Sequence, residues 1–133
     1  MTLRGLTTVS FYADDVAAAA AWYTELLGIE PYFQRLPGYV EFRIGDHQHE
    51  LGIVARSYAP HGAEIAGAIV YWHVDDVETT LARLLAMGAK EHEGITKRGE
   101  GYVTASVVDP FGNLLGIMYN QHYLDTVAAR KSG

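Results

Sequence analysis

The sequence predicts an α+β chain built from two βαβββ modules, and three observations carry that prediction. Ala13-Asp14-Asp15-Val16 and Val74-Asp75-Asp76-Val77 repeat one short motif where a strand-like run gives way to a helix-like one. Gly28 and Gly88 occupy the same place in the two halves, each just past the last residue of helical spacing. Residues 106–119 (SVVDPFGNLLGIMY) set Asp-Pro-Phe-Gly-Asn between two apolar runs, which reads as strand, tight turn and strand. A half of this size that recurs within one chain is a supersecondary unit, so the repeat sets the fold.

In the first half, residues 6–13 (LTTVSFYA) alternate as a strand does and end at the aspartates. Residues 16–27 are alanine-rich, start behind an aspartate and stop at Gly28, as a helix does. Its apolar stripe comprises Val16, Ala19, Ala20, Tyr23, Leu26 and Leu27. Residues 29–34 form a short edge piece, because Pro31 cannot donate to a ladder. Residues 39–44 and 48–55 follow as a hairpin around Gly45-Asp46, completing a module over 6–55. Residues 56–67 read as a linker rich in small residues. The second module, 68–119, repeats the order: strand 68–74, helix 77–87, then strands 89–93, 102–108 and 113–119. Residues 120–133 form a tail, and the whole chain is expected to be one domain. Asp14, Asp15, Asp75 and Asp76 read as helix caps, and Asp75 with Glu78 has the spacing of a capping box.

Composition narrows the function classes. A net charge of −6 with ten scattered Lys and Arg offers no basic stripe for nucleic acid. No apolar run approaches the roughly 20 residues of a membrane span. The chain has no cysteine, hence no disulfide or thiolate chemistry, and no apolar signal core stands near its start. A cytoplasmic protein is expected. No nucleophile motif, phosphate loop or dinucleotide fingerprint occurs.

With ADDVAAAAAWYTELLG, VDDVETTLARLLAMGA and VVDPFGNLLGIM in this order, the chain from Leu6 to about Tyr119 resembles the vicinal oxygen chelate superfamily. That superfamily includes glyoxalase I, bleomycin-resistance proteins and extradiol dioxygenases. The resemblance implies two modules whose mixed sheet curls into a cup, with helices on the outer face and the ligand on the concave one. Metal-using members place a histidine on the first strand and a glutamate on the last strand of each module. The histidine positions here hold Thr8 and Ile69, and the second glutamate position holds Gly116. The first glutamate position falls near Glu50, in HELGIV. These residues do not make a metal site, since such sites need several N or O donors converging at about 2.0–2.6 Å. No cofactor is expected, and a divalent metal is disfavoured.

If Thr8 and Ile69 face the cup, alternation brings Ser10, Tyr12, Tyr71 and His73 to the same side. Val9, Phe11, Val70, Trp72 and Val74 then face the helices. Leu114, Gly116 and Met118 join the cup lining, as do Thr104 and Ser106, and Gly116 leaves room for ligand bulk. The lining expected for a small-molecule pocket is therefore Thr8, Ser10, Tyr12, Glu50, Ile69, Tyr71, His73, Leu114, Gly116 and Met118. His73 and Glu50 are the candidates for acid–base catalysis, with Arg43 the partner a buried Glu50 would seek. His47 and His49 beside Glu50 imitate a metal cluster, although alternation sends His49 and Glu50 to opposite faces. His61, His92 and His122 read as loop or terminal residues facing solvent.

The leading expectation is a metal-free protein, like the bleomycin-resistance branch, that binds or sequesters a small, partly aromatic molecule. The alternative is a lyase, isomerase or dioxygenase with an unusual metal site or metal-free acid–base chemistry. A third reading is an accessory dimer with a vestigial cup. A homodimer is expected in each case, since open-edged half-barrels leave surface to bury.

Overall fold

A computed structural model describes residues 2, 4, 6–58 and 69–132, apart from the side chain at 132. It divides into two compact units, Met1–Ile65 and Ala66–Gly133.

The first unit runs β1 (Thr8–Ala13), α1 (Val16–Leu27), β2 (Phe33–Arg35), β3 (Tyr39–Ile44) and β4 (His49–Ala55). The strand order is β1-β4-β3-β2, with β1 parallel to β4 and the other pairs antiparallel. Asp15 caps α1 by accepting from the Ala18 amide at 3.0 Å. Gly28, with φ +71°, ends the helix by turning its N–H to the Thr24 carbonyl. Val16, Ala19, Ala20 and Tyr23 are buried, and Leu26 and Leu27 are half-buried. They lie over Phe11, Val40, Phe42, Leu51 and Ile53, which alternation brings to one sheet face.

The second unit runs β5 (Tyr71–His73), α2 (Val77–Ala86), β6 (Lys90–Gly99), β7 (Tyr102–Val108), β8 (Leu114–Asn120) and α3 (Gln121–Ser132). Its order, β5-β8-β7-β6, repeats the first with one parallel pair. Val77, Leu81 and Leu84 of α2 are buried with Ala105, Val107, Leu115 and Ile117 of the sheet. The expected duplicated βαβββ architecture is therefore present.

Several local expectations are corrected. Asp76, not Asp75, caps α2, accepting from Thr79 N at 3.0 Å. Asp75 and Asp14 instead pair with His73 and Arg56. The strand expected over 89–93 continues to Gly99, because β-bulges carry it through Gly94. Residues expected as a tail form α3, which Asn120 starts by accepting from Tyr123 N at 2.9 Å. Strand 68–74 shortens to Tyr71–His73, and the linker opens with a single 3-10 turn, Arg56–Tyr58. The rest of the linker, His61 and Ala68 lie outside the described residues.

The turn between β7 and β8 forms as its residues dictate. Asp109, only 3% exposed, accepts from Phe111 N at 2.9 Å and Asn113 N at 2.8 Å, and from the Asn113 side chain. Gly112 takes φ +93°, as a tight return here requires. Asp109→Ala strips these buried donors of their acceptor and should cost about 1–3 kcal/mol. Chemical denaturation measures this, and an unchanged midpoint would contradict it.

Candidate functional site

Each sheet buries one face under its helix and leaves the other open, and the open faces carry the polar and aromatic side chains. In the first unit, Thr8 pairs with Glu50 and Glu50 with Arg43. Ser10, Gly52, Glu41 and Phe33 form the next row, then Tyr12, Val54, Tyr39 and Arg35. Thr8, Ser10, Tyr12 and Glu50 thus share one face, as expected.

Glu50 is engaged from both sides. Thr8 Oγ1 donates to Oε1 at 2.8 Å, and Arg43 lies 3.8 Å from Oε2. Arg43 also lies over the Tyr32 ring, 4.2 Å from its centroid. The Tyr39 hydroxyl donates to Glu41. Burial and the Glu50 charge push the Glu41 carboxyl above the usual glutamate range, and Arg43 pulls it back in part. Burial, then Glu50, raises the Tyr39 phenol as well. Glu41 and Tyr39 were not singled out in the sequence. Period-two alternation from Arg43 along β3 was the signal that could have found them.

His73 is on the expected face but is not an available base. Its Nδ1 accepts from Asn120 N at 3.1 Å, which puts the proton on Nε2, where it donates to Asp75 Oδ1 at 3.0 Å. Tyr123 of α3 stacks on the ring, with centroids 4.8 Å apart and planes 6° apart. The side chain is 8% exposed. It fastens the start of α3 to β5.

Gly116 likewise offers no space for a ligand. A Cβ there would lie 2.6 Å from Tyr71 Cδ1 and 2.8 Å from the Val70 carbonyl. The Tyr71 ring fills the place. In the first unit a Cβ on Gly52 would meet the Tyr39 hydroxyl at 2.6 Å. The two glycines are counterparts: Ser10 pairs with Gly52 as Tyr71 pairs with Gly116, and both partners stand five residues before a helix cap. Glu50 therefore corresponds to Leu114 rather than to Gly116, two residues away from the position the sequence suggested. Met118 pairs with His73, while Ile69 lies just ahead of β5.

This decides how the family's metal positions fit. In the first unit Thr8 and Gly52 supply one weak hydroxyl donor, and in the second Ile69 and Gly116 supply none; the Val70 carbonyl blocks a side chain at Gly116, and the end of the Tyr39 side chain occupies the space over Gly52. The residues present do not fit a resident divalent ion. Among the described residues no three His, Asp or Glu side chains gather to hold one. The rings of His47 and His49 lie 5.5 Å apart on the β3–β4 hairpin.

Histidine 92 stands on β6, not in a loop, and its Nδ1 meets Ser106 Oγ at 2.9 Å. Arg98 Nε donates to Thr104 Oγ1 at 3.0 Å, and its Nη2 pairs with Glu93. Away from the open faces lie two surface clefts of about 390 Å³ each. One, at the start of α2, is lined by Asp75, Asp76, Glu78, Lys97 and Tyr119; the other runs along α1. Neither contains a residue of the expected lining.

Duplicated βαβββ modules, each with a helix on one sheet face and a polar, aromatic opposite face, are the architecture of vicinal oxygen chelate proteins. The chain belongs to the Glyoxalase/Bleomycin resistance protein/Dioxygenase superfamily, whose family model matches residues 5–117. No curated protein sequence matches it. A glyoxalase-related enzyme from Fulvimarina pelagi superposes with a TM-score of 0.71 at 20% identity, covering 90% of each chain. A lactoylglutathione lyase from Agrobacterium tumefaciens gives 0.65 at 20% identity, over 86% of this chain and 92% of that one. A bleomycin resistance determinant encoded on the transposon Tn5 gives 0.62 at 23% identity, over 88% and 98%. At these identities the likeness is one of fold. Among the described residues no helix is long and apolar enough to cross a membrane.

The raised Glu41 carboxyl makes stability depend on pH. A group whose folded pKa is raised stabilises fully below its unfolded pKa, and that contribution is lost as pH rises through the folded pKa. Glu41→Gln keeps an acceptor for Tyr39 and removes the ionisation. The variant should match or exceed the parent at pH 7, by less than about 1 kcal/mol because solvent screens the site. The difference should vanish below the ordinary glutamate range. Thermal melts from pH 3 to 8 test the sign.

Proposed function

We propose that the protein is a metal-independent binder of a small, planar, partly aromatic organic molecule. The observation that carries this reading is the repeated tyrosine-on-glycine platform: Tyr39 against Gly52 and Tyr71 against Gly116. A tyrosine ring positioned on an open sheet face, with Tyr71 37% exposed, offers a stacking surface at small entropic cost. The polar groups around these platforms set a ligand's orientation. The structural neighbours include both a resistance determinant and a lyase, and the donor residues of this chain favour the former kind of role. Acid–base chemistry through Tyr39 and Glu41 is the second reading, favoured by their shared hydrogen bond and by the raised Glu41 carboxyl.

A fluorescence screen of planar aromatics should give ligands whose affinity falls by about 5- to 150-fold in Tyr71→Ala or Tyr39→Ala, a loss of roughly 1–3 kcal/mol. Binding should be equal in protein stripped with chelator and in protein loaded with zinc, nickel, manganese or iron. Affinity that appears only with metal, or survives both tyrosine truncations, would overturn the reading.

The outer strands of the two sheets, β1 and β2 in the first and β5 and β6 in the second, lead us to propose a homodimer as the working assembly. Sedimentation equilibrium at micromolar concentration should return twice the chain mass, and a monomer at every concentration would rule the dimer out.

A further inference from the structure

We propose that the open face of the second sheet holds a carboxylate subsite, formed by Arg98 and His92 over the buried hydroxyls of Thr104 and Ser106. This deepens the small-molecule reading and rests on it, by naming a chemical class for the ligand: an organic monocarboxylate. The geometry begins with a register anomaly. Between β6 and β7 the pairing slips by one residue three times, between Glu91 and Glu93, between Glu93 and Thr96, and between Lys97 and Gly99. The first slip leaves His92 as the extra residue and the third leaves Arg98. A bulge frees a side chain from strict alternation and re-aims it. Glu91 opposes Val107 and Glu93 opposes Ser106, so across the first bulge His92 and Glu93 both face Ser106, and His92 takes the hydrogen bond.

Ser106 and Thr104 lie on one face of β7, two residues and hence about 7 Å apart. Both are buried, at 1% and 5% exposure. Their partners are exposed, so the hydroxyls anchor two donor groups whose outer edges face outward. Arg98 spends Nε on Thr104 and Nη2 on Glu93, and Nη1 has no partner among the described residues. His92 Nε2 likewise has none. A carboxylate at Nε2 selects the tautomer protonated there, and the Ser106 hydroxyl then donates to Nδ1. Glu93 already seats one carboxylate on the guanidinium, which shows that the fork accepts that group. An incoming carboxylate takes Nη1 and His92 Nε2 alongside Glu93, or displaces it. The Tyr71 platform stands in the same row as Ser106, joined to it through Gly116, and supplies the stacking surface for the ligand's body.

The test compares benzoate, cinnamate and a naphthoate with their matching primary amides on the full chain, by calorimetry and by the Arg98 Nε–H signal in ¹⁵N NMR. The expected result is at least ~10-fold tighter binding of each carboxylate than of its amide, with the Nε–H signal shifting for the carboxylate alone. Arg98→Lys, which keeps the charge but not the fork, and His92→Ala should each remove that preference. Glu93→Gln, which relieves the competition, should strengthen carboxylate binding several-fold. Amides that bind as tightly as carboxylates, or a preference that survives both Arg98→Lys and His92→Ala in folded protein, would overturn the subsite and leave the binding function standing. Failure of acids and amides alike, at millimolar concentration, would remove both.

Discussion

Tyr23 of α1 packs against Phe11 of β1 at 5.9 Å between ring centroids, and both are buried. A contact of this kind fixes the phase of a whole sheet. Once Phe11, Phe42, Leu51 and Ile53 are committed to the helix, side chains one residue away must point to the other face, and a one-residue slip would bring the entire apolar set into water. Fully burying one such side chain is worth about 1.5–3 kcal/mol, so the slipped register is not competitive. Leu84 of α2, with Val107 and Ile117 beneath it, imposes the same constraint on the second sheet. The composition of the open faces is a consequence: they hold whatever the buried faces leave over.

What they hold differs between the two units. The first carries Glu41 and Glu50 with Tyr39, Thr8 and Arg43, a carboxylate-rich network in which one carboxyl is held above its ordinary range. The second carries hydroxyls topped by an imidazole and a guanidinium, with the Glu93 carboxylate paired to the latter. The repeat therefore conserves the scaffold and the two glycines, each of which meets a tyrosine supplied by a non-equivalent strand, β3 in the first unit and β5 in the second, while the polar chemistry diverges. Each glycine, Gly52 and Gly116, lies under a tyrosine side chain that occupies the space a larger residue there would take.

Much of this was legible in the residues. The repeated Asp-Asp motif, Gly28, Gly88 and the Asp-Pro-Phe-Gly-Asn turn act over a few neighbours, so α1, β3 and β7 fall where periodicity put them. Alternation also placed Thr8, Ser10, Tyr12, Tyr71 and Gly116 on the open faces. The site was harder to read. The length of β6 was hidden because Gly94 and Gly99 look like loop residues, and bulges leave no periodic trace.

The sequence by itself determined the two modules, the helix ends and the phase of each strand, because those follow from bonds and burial within a few residues. Only the tertiary structure decided which polar groups are spent and which remain available. His73 is consumed by Asn120 and Asp75, and α3 closes over it. Gly116 is filled by Tyr71, while His92 and Arg98 are lifted onto the open face. Each of these outcomes depends on a partner set by cross-strand register or by packing of a later helix. Such partners come together through pairing across strands, not through adjacency along the chain.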